Sequence, residues 1–484
     1  MEKKVYFTMG KKKIVIVSLT AIVALYAILI STLYFVPILT SKLPIADTKK
    51  LIETNFFNFN EQAFGIFGRK ERVLIATNQI EQSSRDGEMI FALSRSSRQL
   101  KVFRWNKSIG ELKLKSQYDY KEIGLEAGIE NGYEGQYIFD IAFDSNSLYL
   151  SRVTFPLASS GCDNFEVLKL HWSTARQKLS PANRLFKSEE CIHVLDPLTY
   201  GWHDFAGRMA FNSTSVFMTA GFVISDVYGG VYPNPKIQGI SPNLKEELKK
   251  QHLFGSIISI DKVSGSFQEV AKGLRSPAGV AVNPKNPRTI WVSDHGPRGG
   301  DELNLIEQGK NYGWPWVTLG APYLANQLGD PQLINTRFFS HKGYESPRFY
   351  WTPSIGPSQL AFLANDLSEK SDWKSGDLLM GSLKANSLFH FKIANNYLVE
   401  SVEQIQLSFR IRDLEILGKA IILSTDDGRL VILDESTVPI STGAFPPVDI
   451  LSPIYKAPGT NWSLQHLNGF VFRVKAIIHN LVNL

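Results

Sequence analysis

A weak internal repeat limits the folds open to this chain more than any other property. A strand of the form apolar-Ala-apolar, a polar turn and a second apolar strand recur along it. The units are Asp140-IAFDSNSLYLSRV, Gly207-RMAFNSTSVFMTAG, Gly279-VAVNPKNPRTIWVSDHG, Gln359-LAFLAND with Asp377-LLMGSLK, and Arg412-DLEILGKAIILSTDD. An opening unit near Val73–Asn78 makes about six, spaced by roughly 50–80 residues. Strand pairs repeated at such intervals predict one sheet per unit around a common axis, an all-β, six-bladed β-propeller rather than a sandwich. Val73–Ala76, Phe139–Ala142, Ser147–Val153 and Phe165–His171 carry the β-branched and aromatic residues of strands. Ser241–Gln251 is one short helical candidate, with Ser241 as its cap. The length of 484 residues suggests about three domains, but a propeller gathers residues 51–440 into one.

The amino-terminal part reads differently. Ile14 to Val36 is 23 residues without a charge, enough to cross a bilayer as a helix. Lys3, Lys4, Lys11, Lys12 and Lys13 precede it against Glu2 alone. The positive-inside bias then puts residues 1–13 in the cytoplasm as a basic tail and the chain after Pro37 outside. A cleaved signal peptide is the competing reading, but its apolar region is shorter and ends in small residues. This segment ends Tyr34-Phe35-Val36-Pro37. The expected organisation is a transmembrane signal anchor at 14–36, a linker at 37–50, the propeller at 51–440, and a C-terminal extension or closing strand at 441–484. The chain would be a single-pass membrane protein with its propeller on the periplasmic or extracellular side. The tail Asn468-GFVFRVKAIIHNLVNL suits either a last strand or an amphipathic interfacial helix.

The first 36 residues hold +4 of the net charge of +6. The remainder is nearly neutral and lacks a basic patch interleaved with aromatics, so nucleic acid is not an expected partner. The two cysteines, Cys162 and Cys191, lie in the part expected outside. An oxidising compartment permits a bridge between them, and two buried thiols are the alternative.

The densest polar segment is Val292 to Pro315, VSDHGPRGGDELNLIEQGKNYGWP. Gly296, Gly299 and Gly300 stand beside His295, Arg298, Asp301 and Glu302. Glycines allow close backbone approach, and carbonyls with a carboxylate suit a hard cation such as Ca²⁺.

Gly273-LRSPAGVAV followed by Ser293-DHGPRGGDELNLIEQGKNYGWP resembles the soluble aldose (glucose/sorbosone) dehydrogenases. These are six-bladed propellers that use pyrroloquinoline quinone (PQQ) with calcium. The resemblance runs, more weakly, from about Val73 to Leu433. It implies that Arg275, Lys384, Arg410 and Arg412 hold the three carboxylates of the quinone, a task suited to guanidinium forks. It implies calcium on the carbonyls of Gly296 and Pro297. It places His295 and Asp301 in the same cofactor loop, Gln136 as a pocket glutamine and Trp351 as a pocket aromatic; core packing is the other reading of Trp351.

Two positions depart from the family pattern. The family's general base is a His four residues before the Arg of a Gly-Arg pair. Here the pair is Gly207-Arg208, the position holds Asp204, and a histidine stands one residue earlier at His203. Asp204 as a carboxylate base, His203 restored by a loop shift, and loss of the base all remain open. The family's Arg-Asn-Pro-Gln is Arg275-Ser276-Pro277-Ala278 here, which removes an amide donor.

The apolar segment and the resemblance together imply a membrane-anchored, PQQ-dependent oxidoreductase. It would oxidise an aldose or related alcohol to a lactone or carbonyl by hydride transfer to calcium-bound quinone, and a respiratory acceptor would take the electrons. The altered base leaves a second reading, a tethered propeller that binds carbohydrate or protein without turnover. A calcium-dependent lactonase is a third, against which the retained cations argue.

Overall fold

In a computed structural model of the chain, the structure describes residues 48–53, 58–68, 71–78, 88–125, 129–130, 133–134, 136–154, 164–189, 206–221, 253, 255–314, 316–321, 337–367 and 373–435. The expected anchor at 14–36, the helix at 241–251, Cys162, Cys191, His203, Asp204 and the tail after 435 lie outside these residues. Among the described residues no helix is long and apolar enough to cross a membrane.

Six antiparallel sheets follow one another along the sequence. Their inner strands are Val73–Asn78, Gln136–Asp144, Ala206–Phe211, Pro277–Asn283, Pro357–Phe362 and Ile411–Leu417, here defining blades 1 to 6. Each inner strand packs against the next, and the sixth packs against the first, so the ring closes. This is the six-bladed all-β propeller expected from the repeat.

Each blade has apolar layers on both faces, which explains the unbroken burial of its middle strands. In Ala420–Thr425 every residue is buried. Ile421 and Leu423 join the cluster against blade 5, while Ile422 joins the cluster against blade 1. Successive side chains point to opposite faces, so one strand serves two interfaces. The core is six such clusters, one between each adjacent pair of blades. Between blades 1 and 2, Phe91 meets Trp172 edge to face at 5.3 Å, a geometry worth about 0.5–1.5 kcal/mol beyond its area. The outermost strand of blade 1, Glu111–Asp119, alternates exposed and half-buried residues.

A hydroxyl stands at one place in every repeat: Ser94, Ser151, Thr219, Ser293, Ser382 and Ser424, all buried. Ser151 Oγ donates to the Gly207 carbonyl (2.5 Å), Thr219 Oγ1 to Pro277 (3.2 Å), Ser293 Oγ to Ser358 (2.8 Å) and Ser424 Oγ to Val73 (2.7 Å). Each of these carbonyls lies at or beside the start of the next inner strand. The hydroxyls thus satisfy backbone acceptors that the inner strands would otherwise bury unpaired.

The ring is closed by the start of the propeller sequence. The closing strand is Asn58–Gly65, which pairs antiparallel with Arg429–Glu435 in blade 6, and Thr48–Glu53 adds outside it. The expected C-terminal extension or closing strand at 441–484 lies outside the described residues.

Candidate functional site

All inner strands start at the same end of the ring. The turns joining second to third strands lie at that end too, because each second strand runs back antiparallel. This places Arg275, the His295–Gly300 loop, Lys384, Arg410, Arg412 and Gln136 on one face.

The loop of blade 4 is tied by its own carboxylates. Asp294 accepts the backbone N–H groups of Arg275 (2.8 Å) and Ser276 (2.6 Å). Burial first, then the neighbouring Glu302, pushes the Asp294 carboxyl up to about 7. Arg275 Nη1 then reaches the carbonyls of His295 (3.0 Å) and Gly296 (3.3 Å), with its guanidinium 5.4 Å from the Trp314 ring centroid. His295 Nε2 lies 2.6 Å from the Pro357 carbonyl, bridging blades 4 and 5. Burial, and secondarily Arg275 and Arg412, holds the imidazole pKa below its ordinary value, with Asp301 opposing. The ring is therefore neutral near pH 7 and donates to Pro357.

Asp301 organises this loop rather than facing open space. Its Oδ1 accepts Gly296 N–H (3.1 Å) and Ser354 Oγ–H (2.9 Å). Its Oδ2 accepts the N–H groups of Ile355 and Gly356, both at 2.8 Å. Gly300 has φ +70°, and a Cβ there would overlap the Gly320 backbone.

The remaining cations sit on blades 5 and 6. Lys384 is exposed at the end of the Leu378–Ser382 strand, its backbone N–H bonded to Ile355 O at 2.9 Å. Arg410 and Arg412 share Asp426: Arg410 Nε is 3.0 Å from Oδ2, and Arg412 pairs through Nε with Oδ1 and through Nη2 (3.3 Å) with Oδ2. Burial first, then repulsion from Arg72 and Arg410, lowers the Arg412 pKa from its ordinary value, opposed by Asp426.

Nearer the axis lies a buried network that the motif reading did not assign. Arg208 Nη1 contacts Asp140 Oδ1 (2.8 Å) and Asp413 Oδ1 (3.0 Å), while Nη2 donates to the Arg412 carbonyl (2.8 Å). Asp140 also accepts Met209 N–H and Asp413 accepts Ile75 N–H. Blades 2, 3, 6 and 1 are thereby joined. Burial, with Asp413 adding and Arg208 opposing, pushes the Asp140 carboxyl up to about 7. Burial would lower the Arg208 pKa, but Asp413 and Asp140 outweigh it and raise it.

Two expected pocket residues have protein partners of their own. Gln136 donates to Leu125 O (2.5 Å) and accepts Arg152 Nη1 (2.7 Å). Trp351 is 5% exposed and packs edge to face on Phe389 and Phe391, within the blade 4–5 core. Two arginines at this face were not singled out from sequence. Arg72 and Arg95 line, with Ser96, Gln136 and Tyr137, a cavity of about 280 Å³ between blades 1 and 2. The cleft behind Arg275 measures only about 10 Å³.

The donors test both expected cofactors. The four cations and Asp426 sum to a formal +3, set against the three carboxylates of the quinone. Calcium is expected on the carbonyls of Gly296 and Pro297. The Gly296 carbonyl faces a guanidinium, and all four hydrogen bonds to Asp301 come from the protein itself. Among the described residues, no group of three or more His, Cys, Asp or Glu is arranged to hold a metal.

A family model described as glucose/sorbosone dehydrogenase matches residues 140–433. Aldose sugar dehydrogenase YliI of Escherichia coli is 33% identical over 181 residues, 36% of this chain and 44% of that protein. Quinoprotein glucose dehydrogenase B of Acinetobacter calcoaceticus is 42% identical over 64 residues, 12% of this chain and 13% of that protein. The chain thus spans less than half the length of these curated relatives. The crystal structure of the soluble aldose sugar dehydrogenase of Escherichia coli, in its apo form, superimposes with a TM-score of 0.53 at 20% identity. That superposition covers 78% of this chain and 99% of that one, and shows a shared fold.

Proposed function

Because this chain belongs to the glucose/sorbosone dehydrogenase family, we propose that it is a PQQ-dependent oxidoreductase acting on the CH–OH group of an aldose sugar or related alcohol. The observation that carries this reading is the cation set of blades 4 to 6. Arg275, Lys384, Arg410 and Arg412 lie on one face, and Asp426 reduces their charge to that of a tricarboxylate's counterpart.

Arg275 would be pre-aligned, because its backbone is held by Asp294 and its guanidinium by the His295 and Gly296 carbonyls. Such fixing removes side-chain entropy from the binding step. Arg410 and Arg412 would share their donors between Asp426 and a ligand carboxylate, as guanidinium forks do. Lys384, exposed, supplies a point charge that can move. Bound here, PQQ would supply an electrophilic carbonyl that takes up hydride. Asp204 or His203 would take the substrate's hydroxyl proton as the C–H bond gives up its hydride, leaving a lactone or carbonyl product. No step is assigned to calcium.

The uncharged segment 14–36 and its flanking lysines support a membrane-anchored protein with its propeller outside the cytoplasm. A respiratory acceptor at that membrane would then receive the electrons.

Titration of the full chain with PQQ, followed by quinone absorption, tests the reading, with a dye-linked oxidation assay on an aldose panel beside it. Saturable binding, weakened in Lys384→Met and Arg275→Met, with dye reduction is expected. The altered base at Asp204 favours the non-catalytic reading, and saturable binding without dye reduction would select it. Absence of saturable binding would sink both cofactor roles.

A further inference from the structure

The cation set of the proposed quinone site covers only blades 4, 5 and 6. The opposite part of the same face holds the cavity of about 280 Å³ between blades 1 and 2. That volume is about twice the ~150 Å³ that admits a benzene ring and near the lower end of small-molecule pockets, about 300 Å³. A single substituted six-membered ring is therefore the right size of guest.

Its chemistry is unlike that of a neutral sugar site. Arg72, at the start of the blade 1 inner strand, and Arg95, on the turn after Glu88–Ser94, both line it. Both are half-buried. Arg95 is braced, with Nη1 on the Ile138 carbonyl at 3.1 Å and its guanidinium 4.5 Å from the Tyr137 centroid. Among the described residues neither Arg72 nor Arg95 has a carboxylate partner. The adjacent Glu71 is turned to Ser94 Oγ and lies in the field of Lys101. Asp426 is taken by Arg410 and Arg412. Arg72 also lies close enough to Arg412 for the two to repel. Half-buried guanidinium groups that line one cavity with no carboxylate between them are a site for an anion.

We propose that this cavity is a carboxylate subsite, and that the substrate of the site is accordingly a sugar acid, a hexuronate or aldonate, rather than a neutral aldose. This rests on the oxidoreductase reading for its second half only. The carboxylate pairs with Arg72 and Arg95, Ser96 adds a hydroxyl partner, and the rest of the sugar extends toward the axis. The quinone, held on blades 4 to 6, leaves this side of the face to substrate.

The test is calorimetric titration of the full chain, without quinone, using sodium D-glucuronate, D-glucose and sodium acetate. Glucuronate is expected to bind saturably and at least tenfold tighter than glucose or acetate, with affinity falling as salt rises. Arg72→Gln and Arg95→Gln should each weaken glucuronate about tenfold or more, and Lys115→Met, an exposed charge on the outer strand of blade 1, should not. Arg72→Gln removes no hydrogen bond seen among the described residues, so its effect is separable from misfolding by an unchanged melting curve. Equal affinity for glucose and glucuronate, or an Arg72→Gln variant that binds as the parent does, overturns the proposal. So does a variant that loses PQQ affinity while keeping glucuronate affinity, because the guanidiniums would then serve the cofactor. Glucuronate binding in a chain that fails to bind PQQ keeps the subsite and removes only the redox reading.

Discussion

Replacing Arg208 by Met should expose how the axis of the propeller is held. The side chain of Arg208 is 11% exposed and those of Asp140 and Asp413 1% each. Taking the cation away leaves two buried carboxylates facing each other, and breaking a buried ion pair from one side costs about 3–5 kcal/mol. About 390 residues run from Thr48 to Glu435, and at ~2.1 cal/mol/K per residue the unfolding entropy is ~0.8 kcal/mol/K. The loss in melting temperature at pH 8 should then be about 4–6 °C. The pH dependence carries the sign of the argument. The Asp140 carboxyl is raised to about 7 in the fold, so its contribution is fully present below its unfolded value near 4 and is lost as pH rises through about 7. Arg208 lowers both carboxyls, so without it they rise further and their mutual repulsion fades as pH falls. The deficit at pH 5 should shrink to about 1–2 kcal/mol, the cost of unmade hydrogen bonds. Scanning calorimetry of Arg208→Met at pH 5 and pH 8 measures both, and adding Asp140→Asn with Asp413→Asn should recover most of the pH 8 loss. Equal deficits at the two pH values, or no recovery in the triple variant, would show that charge is not what Arg208 balances.

Two further substitutions probe the loop and the ring. Gly279→Ala puts a Cβ against the Ser358 carbonyl and 2.8 Å from Ser293 Oγ, where blade 4 meets blade 5; a loss of about 1–3 kcal/mol is expected from overpacking, read as a lower denaturation midpoint with the slope unchanged. Asp301→Ala removes the acceptor of four hydrogen bonds. It should cost about 3 kcal/mol or more and weaken PQQ titration at least tenfold by freeing Gly296 and the backbone beside Lys384, whereas a loss of stability with quinone affinity intact would confine Asp301 to a structural role.

The propeller was readable because each repeat announces its own strand pair. The same repeats held more than was taken from them. Asp140, Arg208 and Asp413 occupy the equivalent place before the apolar-Ala-apolar stretch or its counterpart, and opposite charges at one repeat position are the signal of a network around an axis. Ser151, Thr219, Ser293 and Ser424 likewise share a position, and their common role follows only once neighbouring inner strands are known to be adjacent. The closing strand was not legible. Its sequence NFNEQAFG has little apolar alternation, and its partner lies more than 360 residues away. Residue type also hid direction: a Trp at Trp351 serves a pocket or a core equally well, and the blade 4–5 cluster decides it. Arg72 was invisible for the opposite reason, since a single arginine before a strand has no meaning until Arg95, Tyr137 and Gln136 are brought beside it.

The axial network and the cation face are one electrostatic system, because Arg208 Nη2 holds the carbonyl of Arg412. The face carries the positive charge, while Asp140, Asp413 and Glu415 lie nearer the axis with a single Arg208 among them. If all three acids were ionised, they would offset the pull of the cations on an incoming anion. Burial, and for Glu415 the neighbouring Asp413 and Asp140, raises each of them above its ordinary value and so opposes their ionisation. An acid that takes up its proton gives up its charge, so the face stays attractive to carboxylates. An anion bound there in turn makes ionisation of the acids harder. By linkage the two effects reinforce one another: anion affinity should rise as pH falls through about 7, and Asp140→Asn should reduce that dependence to the part that Asp294 carries.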